Sequence, residues 1–325
     1  MQKYDITFEE IKPLFKGAVE IDQIDGIITA ERFTACQRHA YDNNPDFLMK
    51  SHATSGVMLE VVTDAAALEL EYRIGAGSSR TWYDFDVKVN GILVQHESHE
   101  NFNLEPAGVL TVDLDGRENR VTIFFPPLAQ AQVVRFSRIG GTFTRPAVRS
   151  KKLLSFGDSI TQGYDARYPS VAYPVQAAEE FEAELFNKAI GGEFFNPDLL
   201  VEADPFVPDM ITVAYGTNDW SKHSREAFEA AATGFFHRLN ELYPETPVWV
   251  IVPLWRKDCD RITGVGTFAS AREFIVQTAQ KYSNVTIVDG FQLLPQVTGI
   301  FSDGYLHPND FGFQFMAQKL IAAMR

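Results

Sequence analysis

Ser159 stands inside Gly157-Asp158-Ser159-Ile160-Thr161-Gln162-Gly163, directly after a short apolar run. An aliphatic hydroxyl becomes an effective nucleophile only when an adjacent base takes its proton. The C-terminal half holds three histidines. His237 falls within a helical pattern and His223 on the approach to one. That leaves His307, in Asp303-Gly-Tyr-Leu-His307-Pro308, as the best-placed base. An imidazole used in this way needs an acceptor to fix its tautomer and to stabilise the imidazolium, and Asp303 is the nearest candidate. The chain order Ser, Asp, His is compatible with such a triad. A tetrahedral oxyanion also needs donors: the backbone N–H of Gly192, the side-chain amide of Asn218 and the Ser159 N–H are available. Losing one such donor typically costs about 10²–10³ in rate.

Two kinds of periodicity surround these residues. From about Ile6 to Ile139 the apolar residues alternate in short runs, the period of strands. Examples are Val57–Thr63, Ala67–Arg73, Tyr83–Val89, Val109–Leu114, Asn119–Phe125 and Val133–Phe136, punctuated by Asn90-Gly91, Asp115-Gly116, Pro126-Pro127 and Gly140-Gly141. Closely spaced strands without helical patterns between them predict a β-sandwich of jelly-roll type. After Pro146, buried-strand runs at 152–156, 183–187, 210–214, 248–252 and 285–288 alternate with helical patterns at 171–181, 224–243, 267–282 and 311–324. That alternation predicts a doubly wound α/β sheet, with chemistry at the carboxyl ends of its strands. The expected division is a β-sandwich over 1–148 and an α/β domain over 149–325. Ser159, Gly192 and Asn218 then fall in the loops leaving the first three strands, and His307 in the last loop before the final helix.

The blocks FGDSITQGY, NKAIGG, YGTND and DGYLHPND resemble, in this order, the four blocks of the SGNH (GDSL-type) hydrolases. The resemblance covers roughly residues 150–325. It implies a flavodoxin-like catalytic domain, Ser159 as nucleophile, Gly192 and Asn218 as oxyanion donors and His307 as base. The choice of Gly192 over Gly191 rests on counting from Asn187. A preceding β-sandwich resembles the arrangement in family two carbohydrate esterases and related O-deacetylases. One departure matters: the family's last block usually reads DxxH, whereas Asp303 and His307 are four apart. Either Gly304 lets the loop absorb the extra residue, or a backbone carbonyl orients His307 in place of Asp303.

The expected activity is thus carboxylic ester hydrolysis through an acyl-enzyme. The preferred substrate is an acetylated carbohydrate, since no long apolar lid segment marks a lipase. A lysophospholipase or thioesterase of the same family is the alternative, as is a carbohydrate-binding protein with an inactive hydrolase domain. Trp220 and Trp255 either line a substrate pocket or cover the sheet edge. Asp158 adjoins Ser159 and reads as an acceptor for loop N–H groups, not as the triad acid. Asp219 fits a simple turn.

Composition narrows the partners. The 325 residues include 45% hydrophobic and 22% charged types, the balance of a globular chain, and 26 Phe. A net charge of −14 with a pI near 5.0 disfavours nucleic acid and anionic membrane surfaces. Cys36 and Cys259 suggest neither a disulfide framework nor a zinc site. His96, Glu97, His99 and Glu100 read as a solvated loop, and no metal or cofactor is expected. His39 and His52 carry no supporting neighbours. No signal-peptide pattern opens the chain, so a cytoplasmic location is expected, and homo-oligomerisation is left open.

Overall fold

The computed structural model describes residues 1–325, which divide into two compact units. The first comprises Met1–Phe33, Met49–Arg149 and Arg167–Ser170, and the second Thr34–Leu48, Ser150–Ala166 and Val171–Arg325. The division is therefore not a single cut of the chain near residue 148. Two short segments each belong to the unit that the rest of their half does not form.

The first unit is built from two six-stranded antiparallel sheets. One runs Glu20–Ile24, Ile27–Glu31, Ala129–Ile139, Ala67–Gly77 and Ala107–Asp113, with Lys3–Asp5 paired to Ala129–Ile139. The other runs Phe143–Thr144, Met58–Thr63, Asn119–Phe124, Tyr83–Val89 and Ile92–His99, with Phe15–Lys16 on Met58–Thr63. Leu68, Leu70 and Tyr72 alternate with Glu69 and Glu71 and join Phe85, Val87, Val121 and Ile123 in one buried cluster. That is the period-two pattern of a sheet with one face in a core.

The stretch read from sequence as a solvated loop around His96 and His99 is instead strand Ile92–His99, paired with Tyr83–Val89. Its Ile92, Leu93 and Val94 are all exposed, so the alternation that announces a strand is absent there. His96 Nδ1 lies 2.9 Å from Asp86 Oδ1, and its ring stacks on Tyr168 at 4.0 Å. The Asp86 carboxylate also accepts from the Ser170 N–H and hydroxyl, at 2.9 and 2.6 Å. These contacts explain why residues 167–170 belong to the first unit.

The second unit is a five-stranded parallel sheet: β1 (Lys151–Gly157), β2 (Ala183–Asn187), β3 (Met210–Ala214), β4 (Val248–Val252) and β5 (Val285–Asp289). Their order across the sheet is β2-β1-β3-β4-β5. This is the flavodoxin-like winding, whose direction reverses between β1 and β3. The helices are α1 (Ser159–Gln162), α2 (Tyr173–Glu180), α3 (Thr217–Lys222), α4 (Arg225–Leu242), α5 (Phe268–Ala279) and α6 (Asp310–Met324). Ser224, Thr267 and Asn309 cap the last three by accepting from the N–H groups of Ala227, Ser270 and Gly312. Such caps satisfy donors that a helix start leaves without partners.

Segment Thr34–Leu48 is bound into this unit by polar contacts. Lys188, fully buried, lies 2.7 Å from Asp204 and donates to Gln37 Oε1 at 2.8 Å. The Tyr41 hydroxyl donates to Glu193 at 2.6 Å, and Thr34 Oγ1 to Glu202 at 2.9 Å. Removing one partner of a buried ion pair leaves the other uncompensated. Lys188→Met should therefore destabilise the α/β unit by about 3–5 kcal/mol, to be checked by urea unfolding followed by the fluorescence of its tryptophans. An unchanged midpoint would show that Asp204 is satisfied without Lys188.

Candidate active site

The loops at the carboxyl ends of β1, β2 and β3 and the loop before α6 converge. Asp158 is the N-cap of α1, and its side chain accepts from the Ile160 N–H at 3.1 Å. That leaves Ser159 as the first residue of the turn. Ser159 Oγ lies 2.9 Å from His307 Nε2, and His307 Nδ1 lies 2.8 Å from Asp303 Oδ2. The three side chains form one hydrogen-bonded line, able to move a proton from hydroxyl to imidazole while a carboxylate faces the far nitrogen.

The four-residue spacing of Asp303 and His307 is accommodated as follows. Phe301 and Pro308 form an antiparallel bridge that closes the loop, and the Ser302 N–H donates to the His307 carbonyl at 2.8 Å. Gly304 takes φ +63°, a left-handed angle open to glycine. Asp303 Oδ1 then accepts from the N–H groups of Tyr305, Leu306 and His307, at 2.8, 2.8 and 3.2 Å. One oxygen organises the loop while the other faces the imidazole. Burial pushes the Asp303 carboxyl upward, but the hydrogen bonds from the His307 ring and from Leu306 and Tyr305 outweigh it. The group is held well below the usual carboxylate range.

The residues expected as oxyanion donors lie in the loops that follow β2 and β3. The Gly191 N–H is engaged by Gln162 Oε1 at 2.6 Å. Gly192, at φ +90°, is the adjacent glycine, and the nearest atom to the position of a Cβ there is Phe47 Cε1, at 3.6 Å. Asn218, in the first turn of α3, donates from Nδ2 to the Glu193 carbonyl at 3.0 Å. An amide nitrogen carries two hydrogens, so one remains for a ligand. Glu193 itself is buried and accepts from the Tyr41 and Tyr215 hydroxyls, which ties down the loop carrying Gly192.

Arg256 went unnoticed in the sequence. It is buried and donates to the Thr217 carbonyl and hydroxyl at 3.1 and 3.0 Å, to Asp258 at 2.6 Å and to the Tyr305 hydroxyl at 2.8 Å. It thereby joins the turn that carries Asn218 to the loop that carries His307. Its guanidinium lies over the Trp220 ring at 5.0 Å. Trp220 is fully buried, with its indole N–H donating to the Gly266 carbonyl at 3.0 Å. It is a platform under Arg256 and lines no open pocket, because an apolar ring after a strand turns inward as readily as outward. Trp255 is half-buried and packs on Phe301, ring centres 5.7 Å apart.

The ligand atoms of Asp165, Asp303 and His307 lie within 4.8 Å of one another. Both nitrogens of His307 already face partners, Ser159 and Asp303, so this is not an open ligand set. Two further acids are buried. Burial raises Asp158 to about 6, against the opposing pull of the Ile160 N–H, His307, Arg256 and Lys222. Burial likewise raises Asp219 to about 7; its Oδ1 accepts from the Phe195 N–H at 3.2 Å, and its Oδ2 has no partner.

Residues 155–315 match the GDSL-like lipase/acylhydrolase family. The chain is an ester hydrolase with a GDSL-like domain. Among curated protein sequences none matches it significantly. Solved structures resemble it over nearly its whole length. The salicylyl-acyltransferase SsfX3 from a tetracycline biosynthetic pathway is 22% identical, with a TM-score of 0.84 over 99% of this chain and 96% of its own. A family two carbohydrate esterase from Cellvibrio japonicus is 18% identical, with a TM-score of 0.68 over 100% and 97%. An acetyl xylan esterase from the rumen bacterium Butyrivibrio proteoclasticus is 16% identical, with a TM-score of 0.64 over 100% and 97%. The fold of this hydrolase, with its N-terminal β-sandwich, is theirs. No helix is long and apolar enough to cross a membrane.

The buried acids give this hydrolase a pH-dependent stability. An unfolded aspartate releases its proton near its ordinary value of 3.8, the folded Asp219 only at about 7. Between these values the folded chain binds more protons, so the Asp219 contribution falls as pH rises through that window and levels off above it. Asp219→Asn keeps an acceptor for Phe195 and removes the charge. It should unfold at a higher temperature than wild type at pH 8 and at the same temperature at pH 4. Equal melting temperatures at both values would mean that Asp219 is solvated in its charged form.

Proposed function

We propose that this hydrolase is a serine esterase for short acyl groups, acting by O-deacetylation of a carbohydrate. Ser159 Oγ attacks the ester carbon while its proton passes to His307 Nε2, and Asp303 holds the Nδ1 proton. The carbonyl oxygen becomes an oxyanion bonded by the N–H groups of Ser159 and Gly192 and the Asn218 amide. Collapse breaks the bond to the alcohol, which leaves with the proton from His307. Water then gives a proton to His307 as it attacks the acyl-enzyme; the bond from the acyl carbon to Ser159 Oγ breaks, Oγ takes that proton from His307, and the acid is released.

The observation that carries this reading is the unbroken line from Ser159 through His307 to Asp303. The short acyl group is supported by the likeness to the acetyl xylan esterase from Butyrivibrio proteoclasticus. Carbohydrate as the alcohol is supported by the architecture shared with the Cellvibrio and Butyrivibrio esterases. A second reading is transfer of the acyl group to an acceptor hydroxyl in place of water. The extent of the likeness to the salicylyl-acyltransferase favours it.

Wild type should release p-nitrophenol from its acetate ester, and Ser159→Ala should fall to background. Acetylated xylo-oligosaccharides should lose acetate faster than a decanoyl ester is cleaved; the reverse order would sink the short-acyl reading. Product partitioning with added alcohol separates hydrolysis from transfer. Equal activity of wild type and Ser159→Ala would remove Ser159 as nucleophile.

A further inference from the structure

Resting on the proposed role of His307 as base, we infer that Asp165 is a second anionic positioning group for His307. Asp165 follows the nucleophile turn and is buried, with 8% of its surface exposed. Its Oδ2 lies 4.0 Å from His307 Nδ1, the nitrogen that also faces Asp303. The Ser302 hydroxyl donates to this same Asp165 oxygen and lies 3.3 Å from the His307 carbonyl. Two carboxylates from different elements thus converge on one edge of one imidazole. The Tyr164 ring packs against the His307 ring at 5.1 Å.

The geometry gives the two acids different tasks. Asp303 is within hydrogen-bond distance of Nδ1 and fixes the tautomer. Asp165 is too far to bond the same proton and acts through space, stabilising the positive charge that appears when Nε2 takes the Ser159 proton. Asp303 and Asp165 face the ring itself. Asp158 also interacts electrostatically with His307, and with Arg256 and Lys222. Asp165 also has φ +67°, a left-handed angle that few side chains adopt readily.

The test compares pH profiles of kcat/KM on p-nitrophenyl acetate. Asp165→Asn keeps the shape and the left-handed tolerance and removes the charge, so the acid limb should move to lower pH by about one unit. Ser302→Ala removes the hydrogen bond but leaves the charge, and should keep the wild-type limb. In an Asp303→Asn background, adding Asp165→Asn should cost about tenfold more, and more than the same change costs in wild type, since no carboxylate then remains at Nδ1. Asp165→Gly, equally tolerant of the backbone angle, gives the same readout should the Asn variant not fold. Asp165 variants with a wild-type limb and no added loss in the Asp303→Asn background would overturn the inference. A limb moved equally by Ser302→Ala would do so too, by assigning the effect to loop packing. A Ser159→Ala protein as active as wild type would overturn the underlying reading instead.

Discussion

The parallel sheet reverses its winding once, beside its first strand, and the site depends on that reversal. With the order β2-β1-β3-β4-β5, the chain leaves β1 toward one edge and returns on the other side of it. The connections leaving β1 and β3 therefore pull apart and open a crevice at their carboxyl ends. Ser159 enters from β1 and Asn218 from β3, while the β2 connection supplies Gly192. A serine at the end of an edge strand would have a neighbour on one side only.

Topology brings the loops near one another, but polar ties fix the atoms. Asp303 spends one oxygen on three backbone N–H groups and the other on His307, so the loop and the imidazole are oriented together. Arg256 joins Thr217 to Tyr305, and Glu193 joins the glycine loop to Tyr41 and Tyr215. All three ties use charged groups that are partly or wholly removed from water, which is unfavourable unless each is partnered. Once partnered, they tolerate few alternative arrangements, and the loops gain a definition that exposed turns lack.

Much of the fold was legible because it is written in local period. Helices α4, α5 and α6 lie where the 3.6-residue pattern puts them and begin at Ser224, Thr267 and Asn309, residues suited to capping. Strands Ala67–Gly77, Ala107–Asp113 and Ala129–Ile139 follow the alternation of more and less buried residues. Strand Ile92–His99 escaped because both of its faces carry exposed apolar residues, which erases the contrast. Segment Thr34–Leu48 escaped for a different reason. Its partners Asp204, Lys188 and Glu193 lie more than a hundred residues away, and nothing local marks it as part of the α/β unit.

By itself the sequence determined the types and the order of the candidate site residues: a serine after the first buried strand, a glycine and an asparagine after the next two, an aspartate and a histidine near the end. It also determined the two fold classes, because burial leaves a periodic trace in neighbouring residues. Only the tertiary structure decided that Asp303 reaches His307 despite the added residue, that Trp220 lies buried beneath Arg256, and that Asp165 stands at the same imidazole. Ser159 and His307 are 148 residues apart and 2.9 Å from each other. Distances of that kind are set by how loops close and which buried charges find partners, and neither leaves a period in the chain.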